Sequence, residues 1–326
     1  PAAGMTARWY QSTMRPSASP AKVRRMPIAS PRPLLAAAAL LLAGCAALPA
    51  ARAPSAQELA MFQPLQASLH RDHDDLLTAG LGLEGLRNPL PPAFADPAHP
   101  TAAELRRRAL WSNWRGIADL APGGGYGEVY GSTAAVPGRE FSAYARLPGA
   151  TQPHRVLVQL PDDFDPRKRC VVVSASSGSR GIYGAIAVAG AWGLPRGCAV
   201  AYTDKGAGSD YFDLEAGEGV ALDGRVAAAG GDAALAFTPE PASGRGVAFK
   251  HAHSQDNPEA DWGRHLKQAA QFALAVLDAQ YPQQAPFTFA NTRVIAVGIS
   301  NGGGAVLRAA EDGAPWLDAV VAGEPN

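Results

Sequence analysis

The sequence predicts an α/β protein with a mostly parallel sheet and flanking helices. Three observations carry that expectation. Short apolar runs, "CVVVSAS" (170–176), "CAVAYT" (198–203) and "TRVIAVGIS" (292–300), have the length and continuity of strands buried on both faces. Helix-compatible stretches separate them, and such alternation leads to parallel pairing through right-handed crossovers. Glycine (35) and proline (28) are frequent enough to imply many loops rather than a helical bundle.

The first 53 residues read as a leader outside the fold. Lys22, Arg24, Arg25 and Arg32 form a basic region around the start of an apolar stretch, residues 34–43, too short for a stable membrane span. Leu42-Ala43-Gly44-Cys45 matches a bacterial lipoprotein processing box, which would tether the chain to a membrane through Cys45. Ala51-Arg52-Ala53 is an alternative cleavage site, and Met5, Met14 and Met26 are candidate starts. Export, to the periplasm or the medium, is expected.

Residues 54–135 are expected to be a mostly helical N-terminal segment. "TAAELRRRALWSNWRGIADL" (101–120) opens with Thr101 and Glu104 at the spacing of a reciprocal capping pair. "APGGGYGEVYGS" (121–132) is a glycine-rich turn that lacks the lysine of a phosphate loop and follows a helix rather than a strand.

The catalytic domain is expected over 136–326. "REFSAYARL" (139–147) and "HRVLVQLP" (154–161) alternate as the strands of a hairpin. "GIYGAIAVAGAWGLPRG" (181–197) suits a helix between two buried strands. Residues 204–260 have little periodicity and exceed an ordinary connection, so they are expected to be an insertion, lid-like or irregular, beside the site. Residues 261–282 read as a helix with Leu266, Ala270, Ala273, Leu274 and Leu277 on one face. "LDAVVAG" (317–323) is a fourth buried-type strand. Cys170 and Cys198 each precede an apolar run and are expected to be neighbours. Two buried thiols are the ordinary outcome there, and export would permit a disulfide.

"RVIAVGISNGGGAVLRAAED" (293–312) carries the chemistry. Gly298-Ile299-Ser300-Asn301-Gly302 fits G-x-S-x-G. A strand that turns sharply into a helix strains its apex residue, and small residues two positions either side avoid collision. The apex hydroxyl of Ser300 then projects as a nucleophile. The N–H of Asn301 and the helix N-terminus favour an oxyanion beside it. An N-capping serine in an ordinary glycine turn is the plainer alternative. The β-branched strand before it and the helical "AVLRAAED" after it favour the nucleophile. "SASSGSRGIYG" (174–184) is expected to supply the second oxyanion donor, with Ser177 and Gly178 as candidates and a solvent-exposed turn as the alternative.

Other classes are disfavoured. Formal net charge is zero and no basic stripe is interleaved with aromatics, which argues against nucleic acid as a partner. No C-x-x-C pair occurs, and His251 with His253 in a polar loop is a weak metal signal. No metal or organic cofactor is expected.

Four stretches, "GGGYGEVYG", "SSGSRGIYGAIAVAGAWGLPRGCAVAYTDKGAG", "FKHAHSQDNPEADWG" and "SNGGGAVLRAAEDG...VVAGEPN", resemble the D-(−)-3-hydroxybutyrate oligomer hydrolase family from about residue 105 onward. The resemblance implies an exported α/β-hydrolase-like serine esterase. Such an enzyme cleaves soluble 3-hydroxybutyrate oligomers to monomers during polyhydroxybutyrate degradation. The resemblance maps the family's serine onto Ser300.

Members of that family are longer than this chain. In α/β-hydrolase order the acid and histidine follow the serine. No histidine follows Ser300, and Asp312, Asp318 and Glu324 lie close to the elbow. The triad partners are therefore expected beyond Asn326, with His251, His253 and His265 as upstream alternatives for the base. Residues 1–326 alone are then expected to be inactive and poorly soluble, truncated after the strand that follows the elbow, which would be an apolar edge. Two other readings compete: a tannase- or feruloyl-esterase-type enzyme for other esters, and a non-catalytic surface lipoprotein.

Overall fold

The computed structural model describes residues 61–326, apart from 130 and 314. The leader, Cys45 and the candidate start and cleavage sites lie outside the described residues. In chain order the elements are β1 (Gln66–His70), α1 (Gly82–Arg87), α2 (Ala102–Arg115), β2 (Gly138–Ala145), β3 (His154–Pro161) and β4 (Cys170–Ala175). Then come a composite helical segment (Ile186–Gly190, Ala191–Gly193, Leu194–Arg196) and β5 (Ala199–Thr203). The short strands β6 (Tyr211–Asp213), β7 (Glu218–Val220), β8 (Val226–Ala228) and β9 (Val247–Phe249) follow, and a single turn (Lys250–His253). The chain continues through α3 (Pro258–Gln280), β10 (Arg293–Ile299), α4 (Asn301–Glu311) and β11 (Ala319–Gly323).

The main sheet has the order β1-β2-β3-β5-β4-β10-β11. The apolar runs behave as expected, because β5, β4, β10 and β11 are all parallel neighbours. The sheet as a whole is mixed rather than mostly parallel, since β1–β2, β2–β3 and β3–β5 pair antiparallel. The β2–β3 hairpin accounts for one of these pairs. β3–β5 arises because β3 lies against β5, whose direction is set by its crossover from β4, and β1 adds to the outer edge of β2.

Side-chain alternation assigns the two faces. Val171 and Val173 of β4 pack with Leu266, Ala270, Ala273 and Leu277 of α3 and with Val306 of α4. Val172 and Val200 point the other way, toward Leu110 and Trp114 of α2, Ile186 and Leu194. Because both faces of the central strands are covered, their sequence is continuously apolar rather than alternating.

The structure departs from expectation at four further points. Residues 54–135 are not mostly helical where described: α1 is six residues long, and β1 joins the sheet against β2. "QASLH" has neither β-branched residues nor apolar alternation, so its strand depends on its partner. The described part of this region adds β1 to the main sheet and packs Leu110 and Trp114 of α2 beneath it. The segment after β1 is held by Asp75, whose buried carboxylate accepts from the backbone N–H of Leu77, Thr78, Gly80 and Val136. The 181–197 segment helix is a π, α and 3-10 composite rather than one regular helix. The excursion 204–260 is an antiparallel sheet of order β8-β7-β6-β9 around Phe212, Phe237 and Ala248. Its strands have three residues each, too few to register as periodicity. Finally, Cys170 and Cys198 are not free thiols. They form a disulfide across the starts of β4 and β5, with Cα atoms 4.8 Å apart.

Candidate active site

Ser300 sits between β10 and α4 with φ 57° and ψ −128°, a conformation that L-residues avoid. Steric demands around it explain the glycines. A Cβ at Gly298 would lie 2.1 Å from the Gly302 carbonyl oxygen, and one at Gly302 would lie 2.6 Å from that of Ala175. The turn is held from two sides. The Ser300 N–H donates to Gly323 on β11 at 3.0 Å, and the Gly304 N–H donates to the Ser300 carbonyl at 3.0 Å. The Ser300 side chain makes no capping bond to α4, so the N-cap alternative does not describe it.

The loop after β4 lies next to the elbow. Gly178 has φ 53°, and a Cβ there would be 3.8 Å from the Asn301 Oδ1. The predicted oxyanion residues Asn301 and Gly178 are thus neighbours, and Ser177, just before Gly178 in the chain, is buried. Lys205 braces this loop from below. Its ammonium donates to the Gly178 carbonyl and, at 3.2 Å, to Ser176 Oγ, and it stands 5.6 Å from the Trp262 ring centre. The Ser176 N–H donates to Thr203 of β5 at 2.9 Å. Burial pulls the Lys205 pKa down to about 8, against the pull of Asp204 and Glu259.

The upstream histidines occupy other places. None of them is hydrogen-bonded to Ser300 among the described residues. His251 Nδ1 meets Ser179 Oγ at 2.8 Å, on the loop that carries Gly178. His253 bonds the backbone of Phe249 at 3.0 Å and closes its own turn. His265 is buried on α3, edge-on to His154 with ring centres 4.6 Å apart. Burial, reinforced by His154, pushes its pKa well below the ordinary value and keeps it neutral. The stretch around 251–263 also starts α3, with Asn257 at the N-cap and Pro258 in the first turn but no side-chain cap bond.

The acidic residues after the elbow are tied into the fold or stand at its edge. Asp318 accepts from the Val294 N–H at 2.7 Å, and Asp312 lies 3.7 Å from Lys267. Glu324 follows β11 with φ 42°. Among the described residues, no group of three His, Cys, Asp or Glu side chains is placed to hold a metal ion.

Two buried charge networks flank the loop, and sequence reading found neither. Asp204 pairs with Lys250 at 3.3 Å, both fully buried. Burial alone would raise the Asp204 pKa, but Lys250 and His154 hold it below the carboxylate norm. On the other side Arg106 grips Glu140 at 2.7 Å, and Tyr183 donates to Glu140 at 2.6 Å. The Glu140 carboxyl, which burial would raise, is likewise held low by Arg106. A signal did exist for Lys205. The Asp204-Lys205 pair stands at the carboxyl end of a buried parallel strand, where sites gather. A cleft of about 1250 Å³ runs from this loop, Gly178 to Tyr183, past Arg106 and Glu140 to Asp210.

Comparison with known proteins follows the same residues. The family described as 3HB-oligomer hydrolase (3HBOH) matches residues 41–326. The D-(-)-3-hydroxybutyrate oligomer hydrolase of Burkholderia vietnamiensis is 46% identical over 284 residues, 78% of this chain and 41% of that protein. The protein of the same name from Paraburkholderia xenovorans is 45% identical over 283 residues, 78% of this chain and 40% of its own length. The chain therefore spans about two fifths of the curated relatives it matches. Solved structures are more distant. Candida antarctica lipase A in its closed state has a TM-score of 0.29 at 14% identity, covering 56% of this chain and 36% of that one. The rice cell wall degrading esterase LipA from Xanthomonas oryzae has a TM-score of 0.28 at 13% identity, covering 54% and 38%. With its matched region running from residue 41 to 326, the chain belongs to the 3HB-oligomer hydrolase family.

Proposed function

We propose that this chain carries the nucleophile and oxyanion site of an α/β-hydrolase-like serine esterase that cleaves soluble D-(−)-3-hydroxybutyrate oligomers to monomers. The observation that carries the reading is the strained Ser300, raised between β10 and α4 with its side chain uncommitted to capping. The sheet supports it, since the serine turn follows β10, a strand with a parallel neighbour on each side, β4 and β11. The names of the relatives supply the substrate class.

In this reading Ser300 Oγ attacks the ester carbonyl. Negative charge develops on the carbonyl oxygen, where the Asn301 N–H and an N–H of Ser177 or Gly178 receive it. Collapse breaks the ester C–O bond and releases the hydroxyl-bearing fragment, which takes up the serine's proton through a general base. Water then hydrolyses the acyl-serine. The bracing of Gly178 by Lys205 keeps the loop in place, so that little reorganisation accompanies charge development.

Export is part of the same proposal. The basic and apolar leader suggests it, with a tether through Cys45 if the lipoprotein box is used. The Cys170–Cys198 disulfide supports an oxidising destination.

The test is labelling by a fluorophosphonate, together with turnover of the 3-hydroxybutyrate dimer measured beside a feruloyl ester. Labelling at Ser300 and preference for the dimer are expected. Absence of labelling in a protein of the relatives' full length would favour a binding role, and preference for the aromatic ester would move the substrate class.

A further inference from the structure

Four arginines line the cleft beside the oxyanion loop, and they are not equivalent. Arg106 donates to Glu140 at 3.0 and 2.7 Å and to Asp74 at 2.7 Å. Arg155 forks onto Asp210 at 3.2 and 3.0 Å. Both are neutralised by carboxylates. Arg115 stacks on Trp111 with its guanidinium carbon 5.2 Å from the ring centre. It also donates to the carbonyls of Leu86 and Arg87 at 3.2 and 2.9 Å, joining α2 to the end of α1. Arg180, like Arg115, is not neutralised by a carboxylate among the described residues, and of the two it alone lies on the loop that carries Gly178. It makes only two contacts to neutral acceptors, Nη2 to the Gly116 carbonyl at 3.1 Å and Nη1 to Asn113 Oδ1 at 3.5 Å. It has no carboxylate partner among the described residues.

The cleft holds no spare carboxylate to satisfy Arg180. Asp74 and Glu140 are engaged by Arg106, Asp210 by Arg155, and Asp223 by Arg225 at 2.7 Å. Room for the Arg180 side chain is built in at both ends. Gly116 has an ordinary φ of −81°, so its backbone does not require glycine, yet a Cβ there would lie 2.0 Å from Arg180 Nη1. A Cβ at Gly184 would lie 2.9 Å from the Arg180 Cβ. Arg180 is half-buried, two residues from Gly178, with its guanidinium seated on neutral acceptors alone.

An oligomer of 3-hydroxybutyrate ends in a free carboxylate. In the terminal ester that carboxylate carbon is four bonds from the scissile carbonyl carbon. Arg180 stands two residues beyond Gly178, and both line the same cleft. We infer that Arg180 binds the free carboxylate of the substrate on the leaving-group side of the scissile ester, so that the carboxyl-terminal monomer is released first. The inference rests on the proposed substrate class. A planar guanidinium suits a carboxylate because two parallel N–H donors match its two oxygens.

The test is calorimetric titration of the S300A chain with the D-3-hydroxybutyrate trimer as free acid and as its methyl ester. The free acid is expected to bind about tenfold more tightly, as a charge-assisted bidentate pair supplies. Adding Arg180→Gln should bring the two ligands to within about twofold by weakening the free acid alone, while Arg180→Lys, which keeps the charge, retains part of the preference. Equal binding of acid and ester by S300A, or equal weakening of both by Arg180→Gln, overturns the inference and leaves the esterase reading standing. Failure of both ligands to bind S300A removes the substrate class and the inference with it.

Discussion

Single residues at the elbow carry the sharpest consequences. Ser300→Ala should lower ester turnover by about three orders of magnitude or more while leaving the fold intact, since the nucleophile is lost and the oxyanion donors remain. Turnover within tenfold of the parent would mean that another group attacks. Gly302→Ala should cost about 1–3 kcal/mol in urea denaturation, because its Cβ would meet a backbone oxygen that cannot yield, 2.6 Å away on Ala175. Lys205 predicts a pH dependence. Its pKa is about 8 folded and ordinarily 10.5, so between these values the unfolded chain holds a proton that the folded one has released. Stability should therefore rise with pH across that window, and the rise should be smaller in Lys205→Met, measured as the difference between parent and variant melts. Equal slopes in the two proteins would mean that the buried amine does not titrate there.

Elements decide how these residues are held. α4 lies against β4 and β11 because its first turn is glycine: a Cβ at Gly303 would be 2.9 Å from the Gly323 oxygen. The Cys170–Cys198 bridge closes a loop of sequence separation 28 and ties β4 to β5, the strands that lead into the Ser177–Gly178 loop and into Lys205. Replacing both cysteines with alanine should cost about 3.6 kcal/mol, the loop-closure expectation for that span, read as a lower denaturation midpoint. A midpoint unchanged by the double replacement or by reductant would show that the bridge does not constrain the chain. β11 is exposed at Val321 and forms the far edge of the described sheet. Such an edge invites association.

For the whole molecule, the missing pairing of Ser300 with a base matters most. Because no histidine is bonded to it among the described residues, residues 1–326 alone are expected to hydrolyse the 3-hydroxybutyrate dimer slowly. A rate matching a relative of full length would point to His251, already bonded to Ser179 on the loop that carries Gly178. Much of the local organisation was readable from neighbouring residues. The buried parallel strands, the Thr101–Glu104 capping box and the serine turn each depend on side chains a few positions apart, and periodicity and turn sterics act at that range. The edge strand β1, the antiparallel half of the sheet and the small second sheet did not show, because their pairing depends on partners elsewhere in the chain. The same holds for the charges. Asp204 meets Lys250 across 46 positions, Arg106 meets Glu140 across 34, and Arg180 reaches Gly116 across 64. Coulomb attraction and steric exclusion depend on distance through space, so no local pattern announces those pairs. Folding brought together the brace under Gly178 and the Arg180 guanidinium in the cleft from segments that carry no mark of each other.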